Sequence, residues 1–221
     1  MNFLLDFLAN PENWSGPYGI PQRVLEHLEF SGLALLLAAL IALPVGMLVG
    51  YTGRGAVIAV VSANAARALP TLGLVVLVVL LFGVGTTAPV LIPLVALAVP
   101  PILVNTYEGV RGADADLQDA AVGMGMTGPQ VLFRVCVPVA MPLILLGMRT
   151  AAVQVVATAT VAAFVGLGGL GRFIIDGLQT RDFSSTVGGA VLVAVLALAV
   201  QGAFVAAQRL LVSPGVRGQV G

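Results

Sequence analysis

Residues 27–50 read HLEFSGLALLLAALIALPVGMLVG, and no charged side chain follows Glu29 within this stretch. A helix that crosses the hydrocarbon core of a bilayer needs about 20 consecutive, mainly apolar residues. The whole chain has the same character, because 59% of its 221 residues are hydrophobic and only 9% are charged. Soluble domains carry roughly 25% charged residues. The sequence therefore predicts an all-α membrane protein.

Five stretches of the chain are long and apolar enough to be predicted as spans of a helical bundle. Pro70 lies inside the second, and we expect one helix kinked at this proline, because its first half alone is too short to cross. The segment 1–27 precedes a transmembrane domain that covers 28–212, and 213–221 forms a short tail. The predicted spans are 28–51, 56–82, 88–109, 137–165 and 184–211.

The arginines orient this bundle, since the cytoplasmic flanks of spans carry an excess of positive charge. An amino terminus outside the cell places the larger set of arginines on the inner side. The inner set is Arg54, Arg111, Arg134, Arg209 and Arg217, and the outer set is Arg23, Arg172 and Arg181. We therefore expect a cytoplasmic carboxyl terminus and a cytoplasmic loop between the third and fourth spans.

The extracytoplasmic segment 1–27 allows two interpretations. Apolar residues recur at helical spacing from Phe3 to Leu8, and Trp14 and Tyr18 are aromatic residues of the kind that favour membrane interfaces. These features indicate a short helix lying in the interface, and a frayed terminus is the alternative. The segment lacks a basic start, and Asp6 interrupts its apolar run, which argues against a signal peptide.

Several classes of function are excluded by the composition. The chain has no lysine, whereas a P-loop ATPase needs one to contact the β- and γ-phosphates. The formal net charge of zero argues against nucleic-acid binding, which uses clustered basic surfaces. One histidine, His27, and one cysteine, Cys136, cannot supply a His–His pair or a cysteine cluster for a metal. We expect no enzyme active site, metal site or cofactor site on this chain.

A polar loop at 113–136 interrupts the apolar pattern between the third and fourth spans. Asp114 favours a helix start, where a carboxylate accepts orphan amide protons, and Gly125 favours a sharp turn after that helix. Thr127-Gly-Pro-Gln130 has the sequence of a capping box, which predicts a second short helix that continues up to Pro138. Two such helices could cap the bundle, or they could offer a surface to another protein.

Ala120 and Ala121 favour the second interpretation of the loop. Small residues on a helix let another protein surface approach closely. We expect both alanines to be exposed on the first short helix.

The same stretch resembles the EAA loop of bacterial ABC-importer permeases, in which Glu-Ala-Ala is followed after three residues by glycine and, nine residues later, by Ile-x-Leu-Pro. Here Asp119-Ala120-Ala121 is followed by Gly125 and then by Val135-Cys136-Val137-Pro138, with every spacing kept. The resemblance implies a coupling helix that docks on a separate ATPase subunit, which binds ATP and Mg. The residues assigned to coupling are Asp116, Asp119, Ala120, Ala121, Gly123, Gly125, Met126, Thr127, Val135 and Pro138.

The resemblance extends over about residues 26–175, through ALPTLGL, PPILVNTYEGV, AAVGMGMT and ATATVAAFVGLGGLGRFI. These segments are similar to the branch of ABC permeases that imports osmoprotectants such as glycine betaine, choline and carnitine. The resemblance implies the type I importer fold, two ATPase subunits, a second permease copy or paralogue, an extracytoplasmic substrate-binding protein and a bacterial cell membrane. A permease for another small solute, such as an amino acid or methionine, is the alternative within the family.

Residues within these segments are candidates for the substrate pathway or its gating. Arg67 stands before ALP, where relatives lead us to expect an uncharged polar residue. Arg149 lies about three turns into the fourth span, and we expect a structural or gating role because it would repel a cation. Gly166–Gly171 satisfies G-x-G-x-x-G but follows a predicted helix, so we expect a mobile outer loop or a simple turn rather than a dinucleotide site. The candidates are Arg67, Pro70, Asn105, Arg149, Thr158, Thr160, Gly168 and Gly169.

Two other classes of protein compete with an ABC permease. An autonomous channel or secondary transporter often has internal repeats and acidic ion sites within its spans, and the sequence shows neither. An intramembrane protease needs a Ser–His pair or two aspartates at membrane depth. His27 lies at the mouth of the first predicted span, and no aspartate lies within a span.

Overall fold

The computed structural model describes residues 3–83 and 86–212, which form helices joined by short turns, with no β-strand among them. The all-α fold class is therefore confirmed. The predicted tail at 213–221 lies outside the described residues. The α-helices are α1 (Phe3–Ala9), α2 (Ile20–Thr52), α3 (Ala56–Arg67), α4 (Thr71–Phe82), α5 (Ala88–Arg111), α6 (Ala115–Gly123), α7 (Gly128–Val131), α8 (Val137–Thr158), α9 (Gly171–Thr180) and α10 (Phe183–Leu211). Between them lie the 3-10 turns Pro11–Trp14 and Ala159–Val165 and the π-turn Leu132–Cys136.

Four helical segments among the described residues are long and apolar enough to cross a membrane. Their ranges overlap the first, third, fourth and fifth predicted spans, although the first and fourth begin at Ile20 and Gly128 rather than at the predicted residues 28 and 137, and the shortest has 24 residues. At 1.5 Å per residue this length is about 36 Å, enough for a hydrocarbon core of about 30 Å. The segments are Ile20–Thr52, Ala88–Arg111, Gly128–Val165 and Phe183–Leu210.

The single kinked helix expected over 56–82 was wrong. The chain forms two helices of 12 residues each, α3 and α4, separated by residues 68–70. Pro70 explains the break, because proline lacks a backbone N–H and disfavours helical geometry at the residue before it. The Pro70 carbonyl accepts an early hydrogen bond of α4, from the Leu74 N–H at 2.9 Å. Each helix is roughly 18 Å long at 1.5 Å per residue, which is too short to cross a bilayer alone.

The chain divides into two compact units. The first unit comprises Met1–Leu36, Leu69–Val95 and Ala152–Val200. The second unit comprises Leu37–Ala68, Ala96–Ala151 and Gln201–Gly221. The amino-terminal helix and the glycine-rich run belong to the first unit, and the polar loop belongs to the second.

Helix α1 is packed within the first unit, and its position at a membrane interface stays a prediction. Phe7 is 1% exposed, and its ring meets that of Phe173 edge-on at a centroid distance of 5.2 Å. Gly188 lies so close to the Phe7 ring that a Cβ there would overlap it. The Trp14 indole N–H donates to the Leu8 carbonyl at 2.8 Å and ties the following turn to α1. The amino-terminal segment is a packed helix rather than a frayed end.

Glycines let the helices of the second unit approach closely. A Cβ added at Gly46 of α2 would lie 2.8 Å from Thr106 Cβ of α5. One added at Gly147 of α8 would lie 2.7 Å from the Pro101 carbonyl oxygen, also of α5. Both distances are shorter than van der Waals contact, so larger residues at these positions would push the helices apart. The tightly packed α2, α5 and α8 provide the core beneath the polar loop.

Candidate functional site

Helix α6 forms the first half of the candidate coupling loop, and local hydrogen bonds fix its two ends. Asp114 Oδ1 accepts a 2.9 Å hydrogen bond from the Asp116 N–H, as an N-cap carboxylate does. At the other end Gly125 has φ +86°, a left-handed conformation that favours glycine. The Met126 N–H then donates to the Ala121 carbonyl at 3.1 Å. The start and end predicted for this helix are confirmed.

The second half of the loop begins as predicted but does not form a separate helix. The Thr127 N–H donates to Gln130 Oε1 at 2.8 Å, which is one arm of the expected capping box. Helix α7 then passes through the π-turn into α8, where the Val137 N–H donates to the Leu132 carbonyl. This wider turn precedes Pro138, which has no N–H for a regular helical bond. The loop is therefore joined rigidly to the fourth span.

Ala121 is buried, so the expectation that both alanines are exposed was wrong. Successive residues of an α-helix point about 100° apart, and the two alanines cannot face the same way. Ala121 is 2% exposed, whereas Ala120 is exposed. Met126 and Val135 pack partly buried against the same core. That core comprises Val110, Ala113, Ala121, Val131, Cys136, Ala140 and Ile144.

The outward face of the loop combines carboxylates with apolar side chains. Asp116 and Asp119 are exposed, and neither forms an ion pair within the part of the chain that the structure describes. Leu117 is 46% exposed and Met124 is 74% exposed. Apolar groups clustered at a surface are typical of a protein-binding site. The other exposed residues of the coupling set are Ala120, Gly123, Gly125, Thr127 and Pro138.

Two exposed apolar residues of this face, Met124 and Phe133, were not singled out from the sequence. Phe133 borders a hollow of about 320 Å³ whose walls include Leu48, Tyr51 and Leu132. The sequence feature that could have indicated the exposure of Met124 is the Gly-Met-Gly turn, which holds this residue away from the core at the end of α6. The hollow itself depends on Leu48 and Tyr51 of α2, far from the loop in sequence.

The pathway candidates of the second unit lie on three helices, α3, α5 and α8. The Asn105 side-chain amide donates to the Pro101 carbonyl at 2.7 Å, within α5, and faces Gly147. Arg149 is half-buried on α8 and forms no ion pair among the described residues. Arg67 is the last residue of α3, and its side chain lies outside the described part of the chain.

In the first unit the glycine-rich run is a close-packed turn, the second of the two expected alternatives. The Gly169 N–H donates to Glu26 Oε2 at 2.7 Å, and a Cβ at Gly168 would overlap the same carboxylate. The Leu170 N–H donates to His27 Nδ1 at 3.3 Å. The run follows a 3-10 turn rather than a β-strand, so it lacks the context of a dinucleotide site.

His27 completes this arrangement through its other ring nitrogen, which lies 2.8 Å from the Val156 carbonyl oxygen. The ring is 1% exposed. Because a carbonyl only accepts and an amide N–H only donates, these partners require a neutral ring protonated on Nε2. The sequence placed His27 at the mouth of a span but did not indicate its bonds to Leu170 and Val156, which are distant in the chain.

The remaining pathway candidates have local roles in the first unit. The Thr160 hydroxyl donates to the Ala157 carbonyl at 3.1 Å, and Thr160 backbone atoms lie directly against Gly171. Thr158 lines a small apolar hollow of about 10 Å³ beside Thr71. Pro70 precedes α4 as its N-cap residue. The structure thus places these residues at helix ends rather than around one cavity.

The sequence also missed a polar cleft of about 450 Å³ in the first unit, beside Tyr18 and helix α9. Its charged groups already have partners. Arg23 forms a 2.8 Å ion pair with Glu26 and lies 5.3 Å from the centroid of the Tyr18 ring, and Arg172 forms a 3.0 Å ion pair with Asp176. These pairs stabilise the cleft walls, and Asp182, which also lines the cleft, accepts hydrogen bonds from Ser184 and Ser185.

Comparison with known proteins covers most of the chain. The family described as "Binding-protein-dependent transport system inner membrane component" matches residues 42–218. The glycine betaine/carnitine/choline transport system permease protein OpuCB of Bacillus subtilis (strain 168) is 34% identical over 193 residues, 87% of this chain and 88% of that protein. The carnitine transport permease protein OpuCB of Listeria monocytogenes is 38% identical over 176 residues, 80% of each chain.

Solved structures share the fold. A chain of the inward-facing MetNI methionine ABC transporter superposes with a TM-score of 0.74 at 22% identity, covering 88% of this chain and 96% of that one. A chain of an amino acid ABC transporter gives a TM-score of 0.68 at 19% identity, covering 93% and 97%. At these identities the likeness concerns the fold alone, which is the type I importer permease fold expected from the sequence.

Proposed function

Because the chain belongs to the family of binding-protein-dependent transport system inner membrane components, we propose that it is the permease subunit through which an ATP-driven importer moves glycine betaine, carnitine, choline or a closely similar solute. One observation carries the choice of solute. Relatives that are 34–38% identical, over 80–88% of this chain, are permeases of transport systems named for these compounds. The methionine and amino acid transporters resemble the chain only at the level of the fold.

ATP hydrolysis belongs to partner subunits in this proposal. The chain has no lysine and hence no P-loop. Two ATPase subunits bind ATP and Mg, and a second permease, identical or paralogous, completes the pathway. A substrate-binding protein outside the cell delivers the solute, which fits the scarcity of tryptophan and tyrosine for an aromatic cage on this chain.

The outward face of α6 is the contact with the ATPase. Asp116, Asp119 and Ala120 are exposed there beside Leu117 and Met124. The chain is helical from Gly128 to Val165, and Ala121 of α6 packs in the same core as Ala140 and Ile144 of α8, so a displacement of α6 is passed to α8 through this packing. The amino terminus lies outside the cell and the loop and carboxyl terminus lie in the cytoplasm, as the arginine distribution indicates.

Transport follows alternating access. Closure of the two ATPases on ATP draws the coupling helices together and favours an outward-open state, and hydrolysis returns the pair to the inward-open state. The mechanism needs only that ATP binds one state more tightly than the other. In this proposal the residues of the pathway and its gates are drawn from Arg67, Pro70, Asn105, Arg149, Thr158, Thr160, Gly168 and Gly169.

Reconstitution tests the proposal. Vesicles that contain the permease, its ATPase and its binding protein are loaded with ATP and Mg, and uptake of labelled glycine betaine is measured against unlabelled carnitine, choline, proline and methionine. We expect ATP-dependent uptake that the quaternary ammonium compounds suppress and methionine does not. Uptake without ATP would indicate a channel, and suppression by methionine alone would indicate a different solute.

A further inference from the structure

Arg149 lies on the side of α8 opposite to the most closely packed residues of this helix, and Pro142, seven residues earlier on that side, is also buried. The packed side of α8 contains Ala140, Ile144, Gly147 and Ala151, which are spaced by four, three and four residues; Ala140, Ile144 and Ala151 are 2%, 7% and 0% exposed. Arg149 is two residues from both Gly147 and Ala151. At about 100° per residue it therefore points to the opposite side of the helix.

Arg149 also lies near the middle of the membrane span. It is 12 residues after Val137 and 9 residues before Thr158, the two ends of α8. At 1.5 Å per residue these distances are roughly 18 Å and 14 Å, about half the thickness of the hydrocarbon core. A cation at this depth is costly in lipid and normally faces water or protein. Since Arg149 is half-buried at this depth, its guanidinium group meets protein or the water of the pathway rather than lipid.

The chain itself cannot neutralise this cation within the membrane. No aspartate or glutamate occurs between residues 30 and 107, between 120 and 175, or after 182. An identical second copy would have the same gaps, so it could not supply a carboxylate from the interior of a span. In a pathway built from two identical copies, a carboxylate that meets Arg149 at this depth therefore comes from outside the two permease chains.

We infer that Arg149 binds the carboxylate of a zwitterionic solute as it crosses the membrane, and so makes the permease prefer betaines and carnitine over choline. The guanidinium group can hold a carboxylate through two parallel hydrogen bonds. Choline has a quaternary ammonium group but no carboxylate, and the arginine repels it. This inference rests on the proposed function, since it requires a betaine-type solute in the pathway.

Thr150 provides a matched control beside Arg149. Its hydroxyl donates to the Leu146 carbonyl at 2.9 Å and is exposed on the same helix. Replacement by valine removes the hydroxyl without a change of charge or of size. It leaves the guanidinium group in place.

The first test compares solutes in vesicles that contain the complete importer. Wild type, Arg149→Gln, Arg149→Lys and Thr150→Val are assayed for ATP-dependent uptake of glycine betaine and choline. We expect Arg149→Gln to lower the ratio of betaine to choline uptake by about 10-fold or more, because a hydrogen bond to a charged group is lost. Arg149→Lys keeps the positive charge but cannot form two parallel hydrogen bonds to a carboxylate, so we expect a smaller decrease of the uptake ratio. Thr150→Val should keep the wild-type ratio.

The second test needs no variant and so does not depend on folding of a mutant. The wild-type importer is treated with an arginine-specific dicarbonyl reagent, and modification of the peptide that contains Arg149 is followed by mass spectrometry. We expect glycine betaine to slow this modification and choline not to. An Arg149 that never reacts, or reacts equally with and without glycine betaine, overturns the inference.

Other outcomes are also decisive. An unchanged uptake ratio in Arg149→Gln, or a loss of both solutes together with loss of the assembled complex, assigns Arg149 to a contact with lipid or a partner subunit and overturns the inference. If the wild type imports glycine betaine and Arg149→Gln does so equally well, only this inference fails. If the wild type imports neither solute, the proposed function fails with it.

Discussion

The backbone N–H of Gly169 donates a 2.7 Å hydrogen bond to the carboxylate of Glu26, although the two residues are 143 positions apart. The two residues that follow them in the chain form a second hydrogen bond, in which the Leu170 N–H donates to His27 Nδ1. Two successive side chains at the start of α2 thereby hold two successive amides of the glycine-rich run. A run made mostly of glycine is thereby fixed in place by hydrogen bonds to its backbone.

Replacement of Gly171 by alanine tests how tightly this run is packed. A Cβ there would overlap the Thr160 carbonyl, and a backbone atom cannot rotate away. At Gly168 the obstacle is the Glu26 carboxylate, which can move. We expect Gly171→Ala to lower the free energy of unfolding by about 1–3 kcal/mol, and Gly168→Ala to lower it less. The midpoint of thermal unfolding in detergent measures both effects.

Gly32→Ala is the matched control for these variants. Gly32 lies within α2, and a Cβ there meets nothing within 4 Å. Alanine is favoured over glycine in a helix interior by up to about 1 kcal/mol, so we expect this variant to be as stable as the wild type or slightly more so. Equal losses at Gly171 and Gly32 would mean that the contact with Thr160 does not limit the packing.

Replacement of His27 tests the contact between α2 and the glycine-rich run from the side of α2. His27→Leu removes the ring nitrogen that accepts from the buried Leu170 N–H and the one that contacts the Val156 carbonyl, and the loss of a partner by a buried polar group costs about 1–3 kcal/mol. We expect a lower thermal midpoint and faster hydrogen exchange at the Leu170 amide. His27→Gln can still donate and accept, so it retains part of the stability. A Leu170 amide that exchanges equally slowly in wild type and His27→Leu would contradict this account.

The sequence predicted features that depend on neighbours in the chain and missed those that depend on distant ones. Asp114 and Gly125 act on amides and turns within a few residues, so the bounds of α6 could be read from their chemistry. Pro70 was recognised as a perturbation, but whether proline bends or breaks a helix depends on its surroundings. Ala121 packs on residues of α5 and α8, and His27 bonds to residues more than 120 positions away. No local pattern specifies such contacts.

Asp182 makes the stability of the first unit depend on pH. The hydrogen bond from the Ser185 hydroxyl, at 2.6 Å, holds the pKa of Asp182 below its usual range, with the Ser185 and Ser184 amides contributing. When the pKa of a carboxyl group is lower in the folded than in the unfolded protein, its ionised form stabilises the folded state. This stabilisation is complete above the ordinary pKa of about 3.9. This stabilisation is lost as the pH falls through the lower, folded value.

Asp182→Ala therefore has two expected effects on thermal unfolding. Near neutral pH the loss of the N-cap of α10 costs about 1 kcal/mol. Below about pH 4 the difference from wild type shrinks, because the wild-type carboxylate becomes protonated and loses the same advantage. Midpoints measured from pH 7 down to pH 3 give the difference directly. A difference that stays constant across this range would show that the charge of Asp182 does not stabilise the cap.

Ala120 and Ala121 are adjacent in sequence, but their substitutions separate assembly from stability. Ala120 is exposed, so Ala120→Trp should leave the free energy of unfolding within about 0.5 kcal/mol while its bulk blocks close approach of the ATPase. Ala121 is 2% exposed, and Ala121→Leu should overpack the core at a cost of about 1–3 kcal/mol. Co-purification of the ATPase and the thermal midpoint are measured for both variants. An Ala120→Trp permease that retains its ATPase and imports at the wild-type rate would show that the outward face of α6 is not the coupling surface, because a side chain of that size cannot fit a close helix contact built around alanine.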